Sequence, residues 1–377
     1  MSAAPGLSGA PLADRVAVNR FFGNGVYKAS MYKTQMRTGP MAFTQPPQLA
    51  AEPAAPRDLI SIHDLAPAEI PQLFNLTAML KQRPADFRGV LAGKQMVMFF
   101  EKPSLRTRLT FEAGMDSLGG STFFVDQTAS RLTARESLYD IAHNLERWID
   151  IIVLRTYSHA TVEEMATYAG VPVINALSEL EHPCQALADF FTLQEHFGDL
   201  RKIHFAYVGD GNNMAHSLLL AGTSLGAKVS IATPERYGLN PVILTMAQSI
   251  AEETGASLRI LTDARKAVKG ADAVYTDTWA SMGHEQEAEE RTAVFAPYQV
   301  NAALMQLAAP HARFMHCLPA HRGCEVTDQV IDSLNSVVFD QAENRLHIQK
   351  GILVWLLKAG VGAPFFHEGL PARSAHA

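Results

Sequence analysis

The chain is predicted to fold as an α/β protein of two domains, each a parallel sheet flanked by helices. From about Arg57 onward, short apolar runs alternate with longer amphipathic stretches, the pattern of parallel strands joined by crossover helices. Several of the apolar runs end directly at polar clusters, and open parallel sheets bind ligands just beyond the carboxyl ends of their strands. At 377 residues the chain can bury two cores without disulfides or a structural metal.

Residues 1–56 are rich in Ala, Pro, Gly and Ser and show no hydrophobic period, so they are expected to form a disordered extension. Arg15, Arg20, Lys28, Lys33 and Arg37 give it a basic bias like that of organelle-targeting peptides, but it lacks the apolar core of a secretory signal. A flexible tail, or a start codon misplaced ahead of Met41, is the plainer expectation. Strands are expected at Gln95–Phe100, 151–154, 171–175, His204–Val208, Lys228–Ala232, 273–277 and 313–316. A break near residues 185–200 divides the chain into a first domain, 57–190, and a second, 191–342. The amphipathic stretch 348–357 lies in a helical segment, 343–358, expected to pack back on the first domain.

Composition excludes several classes. A formal charge of −6 gives no overall field to attract a nucleic-acid backbone, although a local pocket for a small anion is compatible with it. No apolar run reaches the roughly 18 residues that a membrane helix requires. Cys184, Cys317 and Cys324 are the only cysteines, too few for a disulfide framework, and a reducing compartment, the cytoplasm, is expected.

The first chemical motif follows the run Val97-Met98-Phe99-Phe100. Glu101-Lys102-Pro103-Ser104-Leu105-Arg106-Thr107-Arg108 reads as a turn into a helix, with Ser104 as its N-cap. A helix N-terminus presents unpaired N–H groups and a partial positive charge, and here two hydroxyls and two guanidiniums are expected to converge on the first turn. The arrangement is a phosphate cradle. A capped surface helix with solvated arginines would explain one such residue, but not the packed spacing.

This segment resembles the signature of the aspartate and ornithine carbamoyltransferase family, which binds the phosphate of carbamoyl phosphate, with Leu105 standing where the family usually has Thr. The resemblance continues in order along residues 57 to about 360. It assigns Arg155 to the carbamoyl carbonyl. In His182-Pro183-Cys184-Gln185 it gives His182 the carbonyl oxygen and Gln185 the carbamoyl amide. Arg345, in Asn344-Arg345-Leu346-His347, would reach carbamoyl phosphate.

Later segments concern the acceptor. Gly209-Asp210-Gly211-Asn212-Asn213 superficially suggests a dinucleotide-binding turn, but Met214 occupies the position of its third glycine. The family resemblance instead assigns Asn213 to substrate. Asp277-Thr278-Trp279-Ala280-Ser281-Met282-Gly283 is similar to the loop of the ornithine enzymes, so Asp277, Ser281 and Met282 are expected at the amino-acid end, Asp277 facing an α-ammonium. In His316-Cys317-Leu318-Pro319, Cys317 would sit beside the attacking amine and the carbonyl of Leu318 would accept from the carbamoyl NH2. A thiolate at Cys317 could orient the amine, its protonation being illegible in sequence. Cys317, His321 and Cys324 lack the paired spacing of zinc sites, so no metal is expected, and no organic cofactor.

The resemblance thus implies a first domain for carbamoyl phosphate, a second for ornithine, and an active site in the cleft between them. Carbamoyl transfer to the side-chain amine of L-ornithine would give citrulline and phosphate, a step of arginine metabolism. It also implies a homotrimer in which residues 127–136 complete a neighbour's site; Arg131 falls where a glutamine is common and is carried as a phosphate or substrate contact. Competing readings are a carbamoyltransferase for N-acylated ornithine or putrescine, a nicotinamide oxidoreductase, and a non-catalytic binding subunit. Asp277 speaks against the first, since only a free α-ammonium gives it a charged partner.

Overall fold

The computed structural model describes residues 58–127, 132, 135–279 and 288–358. The expected extension 1–56 lies outside them, as do Arg131, Ser281 and Met282.

Two fully parallel sheets form the frame. The first has four strands in the order β2-β1-β3-β4: β1 (Gln95–Phe100), β2 (Ser121–Asp126), β3 (Ile151–Arg155) and β4 (Val173–Leu177). The second has five in the order β7-β6-β5-β8-β9: β5 (His204–Val208), β6 (Lys228–Ala232), β7 (Ser257–Leu261), β8 (Ala273–Tyr275) and β9 (Arg313–Met315). Parallel strands need crossover connections, which helices supply here: α2 (Leu105–Ser117), α3 (Leu138–Leu145) and α4 (His159–Tyr168) in the first sheet, and α6 (Asn213–Ser224), α7 (Pro241–Thr254) and α8 (Ala264–Val268) in the second; α1 (Glu69–Gln82) precedes β1, and α5 (Pro183–Phe197) joins the two sheets. Short helices α9 (Ala288–Phe295), α10 (Ala302–Met305) and α11 (Asp328–Ile331) precede the long α12 (Val338–Lys358).

Three buried clusters follow from helices covering both faces of each sheet. The largest runs continuously from Phe74, Met98 and Phe111 through Phe190 and Leu218 to Phe205, Tyr275 and Ile352. It is built around α5, α6 and α12, so the two sheets share one apolar seam. Val274, Trp279, Phe295 and Phe314 fill the outer face of the second sheet, and Leu154, Val162 and Met165 that of the first. Helix α12 packs on α1, α2 and α5.

Three expected strands coincide with β1, β5 and β6, and the others differ at their ends by one or two residues. Strands β2 and β7 are not among the expected ones. Both are edge strands with alternating, partly exposed residues, so neither has the continuous apolar run that marks the inner strands. Helix α5 runs unbroken through much of the stretch where the sequence suggests a break, and α12 begins at Val338 rather than 343.

Each sheet has one point where the chain reverses its direction of winding, between β1 and β3 and between β5 and β8. Ligands bind at such switch points because the loops beyond the strands diverge there. Glu101 and Arg155 lie beyond the first, Gly209 and Asp277 beyond the second.

Candidate active site

The carboxyl ends of both sheets open onto one cleft of about 700 Å³. Except for Arg108, every described site residue expected from sequence lines it: Ser104, Leu105, Arg106 and Thr107 at one wall, Arg155, His182, Gln185 and Arg345 at its floor, Asn213, Asp277, Cys317 and Leu318 opposite.

The phosphate wall is the start of α2. Ser104 is extended, and its hydroxyl accepts from the N–H of Thr107 at 3.3 Å, as an N-cap should. Leu105 is 71% exposed, and its backbone amide belongs to the first turn, whose donors a helix cannot satisfy internally. Arg106 lines the cleft, whereas Arg108 does not. Its Nε donates to Glu112 at 3.0 Å and its guanidinium lies over the Phe124 ring, so the expected convergence of two arginines is corrected to one. Two residues apart on a helix means roughly opposite faces, because each residue turns about 100°.

Two further arginines arrive from elsewhere. Arg155 ends β3, and Arg345 projects from the second turn of α12; both are buried. Burial, with the neighbouring charges of Arg345 and Arg106, lowers the Arg155 pKa to about 10, which leaves it a cation at neutral pH. Arg345 donates to the Thr107 hydroxyl at 2.6 Å and to Oε1 of Gln185. Together with the helix terminus this is a concentrated positive site for a small anion.

His182 stands at the N-cap position of α5 without a side-chain capping bond, and its backbone N–H donates to Ser217 Oγ at 2.9 Å. Burial first, then the charges of Arg345 and Arg155, push its pKa well below the ordinary imidazole value. The ring is therefore neutral and offers an N–H without adding a further charge. Among the described residues its Nδ1 has no hydrogen-bond partner.

The opposite wall is acidic. Asp277 follows β8; its Oδ1 accepts from the Cys317 thiol at 3.1 Å and its Oδ2 from Asn212 Nδ2 at 2.9 Å. Burial and the Asp277 charge raise the Cys317 pKa well above that of a free thiol. Cys317 is thus a protonated donor, and the thiolate contemplated from sequence is not the resting form. Asn213 opens α6, and its Nδ2 donates to the carbonyl of Ser178, just after β4, at 2.6 Å. Leu318 has a φ of 59°, a left-handed conformation uncommon for a branched residue, and its N–H is held by His316 Nδ1 at 2.8 Å. Since that nitrogen accepts, His316 Nε2 carries the proton facing Glu325 Oε1 at 3.3 Å.

The Gly-x-Gly turn has a local explanation. A Cβ on Gly211 would come within 2.5 Å of the Gly238 backbone and 2.7 Å of the Tyr237 carbonyl, and the Gly211 N–H donates to that carbonyl at 2.9 Å. Glycine answers a close approach of the chain to itself.

Several residues that shape the site were missed in sequence. Arg291 donates to Asp210 Oδ2 and to the Trp279 carbonyl, each at 2.8 Å, and so ties the residues flanking 280–287 together. Asp189 accepts from Gln185 Nε2 at 2.8 Å; an acid four residues on, inside the apolar run Ala186-Leu187-Ala188-Asp189-Phe190-Phe191, was the available signal. Among the described residues, a group able to share a metal ion is Asp277, His316 and Cys317, with ligand atoms within 4.8 Å of one another, rather than Cys317, His321 and Cys324. Both His316 ring nitrogens already face hydrogen-bond partners.

Comparison with known proteins converges on one family. Residues 57–195 match the model described as the carbamoyl-P binding domain of aspartate/ornithine carbamoyltransferase, and residues 201–356 match its Asp/Orn binding domain. The ornithine carbamoyltransferase of Pyrococcus abyssi is 51% identical over 303 residues, covering 80% of this chain and 96% of that protein. That of Shewanella oneidensis is 48% identical over 300 residues, covering 80% and 99%. Among solved structures, ornithine carbamoyltransferase from Pyrococcus furiosus superposes with a TM-score of 0.78 at 50% identity, covering 80% of this chain and 97% of that one. The Thermus thermophilus enzyme gives 0.73 at 42%, covering 81% and 100%.

Proposed function

The chain belongs to the aspartate/ornithine carbamoyltransferase family, and from that membership we infer that its cleft moves the carbamoyl group of carbamoyl phosphate onto the side-chain amine of L-ornithine, giving L-citrulline and phosphate. The observation that carries the reading is that an anion pole and an ammonium pole face each other across one cleft. Ser104, the start of α2, Arg106 and Arg345 form the first, and Asp277 with Asn213 and Cys317 the second.

Phosphate sits at the α2 terminus, where Leu105 contributes backbone donation and Ser104, Arg106 and Thr107 their side chains. Arg155 and His182 donate to the carbamoyl oxygen, and Gln185 Oε1 and the Leu318 carbonyl accept from the carbamoyl NH2. Asp277 pairs with the α-ammonium of ornithine, and Ser281 and Met282 add contacts at that end. The free-base amine gives its lone pair to the carbamoyl carbon and a C–N bond forms. The C–O bond to phosphate breaks, phosphate leaves with that electron pair, and the nitrogen's surplus proton passes to it. Negative charge gathers on the carbonyl oxygen during attack, where fixed donors such as Arg155 and His182 are each worth about 3 kcal/mol of barrier. No covalent intermediate is required; positioning and exclusion of water do the remainder.

The same reading divides the chain into a carbamoyl phosphate half, 57–190 with the return helix 343–358, and an ornithine half, 191–342. It also carries a homotrimer in which residues 127–136, Arg131 among them, reach a neighbour's cleft. Leu105, Leu109 and Phe123 support it, as apolar side chains half or more exposed on α2 and the edge strand β2. A cytoplasmic setting is supported by three free cysteines. Among the described residues no helix is long and apolar enough to cross a membrane.

Parallel reactions of carbamoyl phosphate with ornithine, N-acetylornithine, N-succinylornithine, putrescine and aspartate test the reading. Citrulline formation with ornithine far ahead is the expected result. Preference for an acylated ornithine would overturn the role of Asp277, and inertness with all five would overturn the activity.

A further inference from the structure

We infer that Asp189 is a positioning residue for the carbamoyl group, whose single oxygen Oδ1 fixes the amide of Gln185 at the cleft floor and, through Gln341, the His316–Leu318 loop at the opposite wall. This rests on the carbamoyl-transfer reading of the cleft. Asp189 is fully buried in the middle of α5, between apolar neighbours that give a carboxylate no reason to be there. Its Oδ1 accepts from Gln185 Nε2 at 2.8 Å and from Gln341 Nε2 at 2.9 Å. Gln341 belongs to α12, and its own Oε1 accepts the His316 N–H at 2.9 Å, one residue before Cys317. One oxygen thus joins α5, α12 and the end of β9.

The chemistry of an amide makes this directional. A carboxylate only accepts, so both glutamines must turn their NH2 groups toward it and their carbonyl oxygens away. For Gln185 that leaves Oε1 facing the site, where it receives Arg345. A flipped Gln185 would present NH2 to the guanidinium and to the carbamoyl NH2, donor against donor on both sides. Asp189 therefore decides whether Gln185 recognises a carbamoyl nitrogen or repels it. The groups facing it are Gln185, Gln341, Tyr275 and Arg345; burial raises its pKa to about 6, against the pull of the amide donors and Arg345. At neutral pH it is therefore an anion, and Oδ1 is the acceptor both amides use.

Inorganic phosphate provides the control, since it fills the anion pole but has no NH2 group for Gln185 Oε1 to recognise. Full-length wild type, Asp189→Ala and Asp189→Asn are titrated separately with carbamoyl phosphate and with inorganic phosphate, and turnover with ornithine is measured for each. In Asp189→Ala, carbamoyl phosphate binding is expected to weaken about tenfold, the scale of one charge-assisted hydrogen bond, while phosphate binding stays within twofold. Asp189→Asn keeps an acceptor oxygen for both amides and restores carbamoyl phosphate binding to within threefold of wild type. In Asp189→Ala, equal weakening toward both ligands, or no weakening of either, overturns the inference. Should Asp189→Ala fail to fold, Asp189→Leu, which fills the space without an acceptor, takes its place: selective loss of carbamoyl phosphate affinity supports the shared acceptor, and unchanged affinity overturns it. A wild type that makes no citrulline removes the functional reading and this inference with it, whereas turnover without the ligand split removes the inference alone.

Discussion

The Cys317 thiol donates its proton to Asp277 Oδ1 across 3.1 Å, joining the loop after β9 to the loop after β8. Burial and that pairing hold the sulfur protonated, because a thiolate here would be desolvated and would face a carboxylate. Cys317 is therefore expected to react slowly with iodoacetamide at pH 8. Asp277→Asn removes the opposing charge and should speed its alkylation, followed by peptide mass spectrometry; unchanged or slower labelling would contradict the assigned proton.

Asp277→Asn should also separate the two substrates. It removes the charged partner of the α-ammonium but leaves the anion pole intact. We expect kcat/KM for ornithine to fall about a hundredfold, as for loss of a buried charged hydrogen bond, with the Kd for carbamoyl phosphate little changed. Steady-state kinetics beside equilibrium binding would show it, and an equal loss for both substrates would tell against this division of the cleft.

Arg291 and Asp210 form a buried ion pair, and Arg291 also lies over the Tyr237 ring. Removing one partner strands the other, so Arg291→Met is expected to lower stability by roughly 3–5 kcal/mol. The double variant with Asp210→Asn should lose less than the two single losses combined. Chemical denaturation of the four proteins measures this, and simple additivity would mean that the pair is not a unit.

Glu181 supplies a pH signature. Its carboxylate accepts from the Ile62 N–H at 3.2 Å and the Ser217 hydroxyl at 3.1 Å, the same Ser217 that holds the His182 backbone. Burial nonetheless raises its pKa from 4.5 to about 7. Between those values the folded protein keeps a proton that the unfolded chain has lost, so stability falls as pH rises through the window and levels above it, by roughly 3 kcal/mol in all. Glu181→Gln lacks this proton equilibrium and should gain on wild type as pH climbs from 4.5 to 7.5. Denaturation curves at intervals across that range provide the comparison; a constant difference would refute it.

Much of this protein is legible in one dimension because its governing signals are local. Inner strands such as β1 and β5 are buried on both faces and read as unbroken apolar runs, and Ser104 marks the start of α2 because an N-cap needs a short side-chain acceptor where helix donors go unpaired. Motif resemblance adds the residues of both poles, and those within the described chain line a single cleft. Other decisions belong to the tertiary structure. Edge strands β2 and β7 form because a neighbour supplies their hydrogen bonds, and the proton on Cys317 is set by burial and by a carboxylate forty residues away in the chain. Asp189 and Gln341 are 152 positions apart, yet share one hydrogen bond that orients the amides around the site. Sequence specifies which groups are present; folding sets their solvation, their distances and hence their charge and orientation, and only then is their chemistry determined.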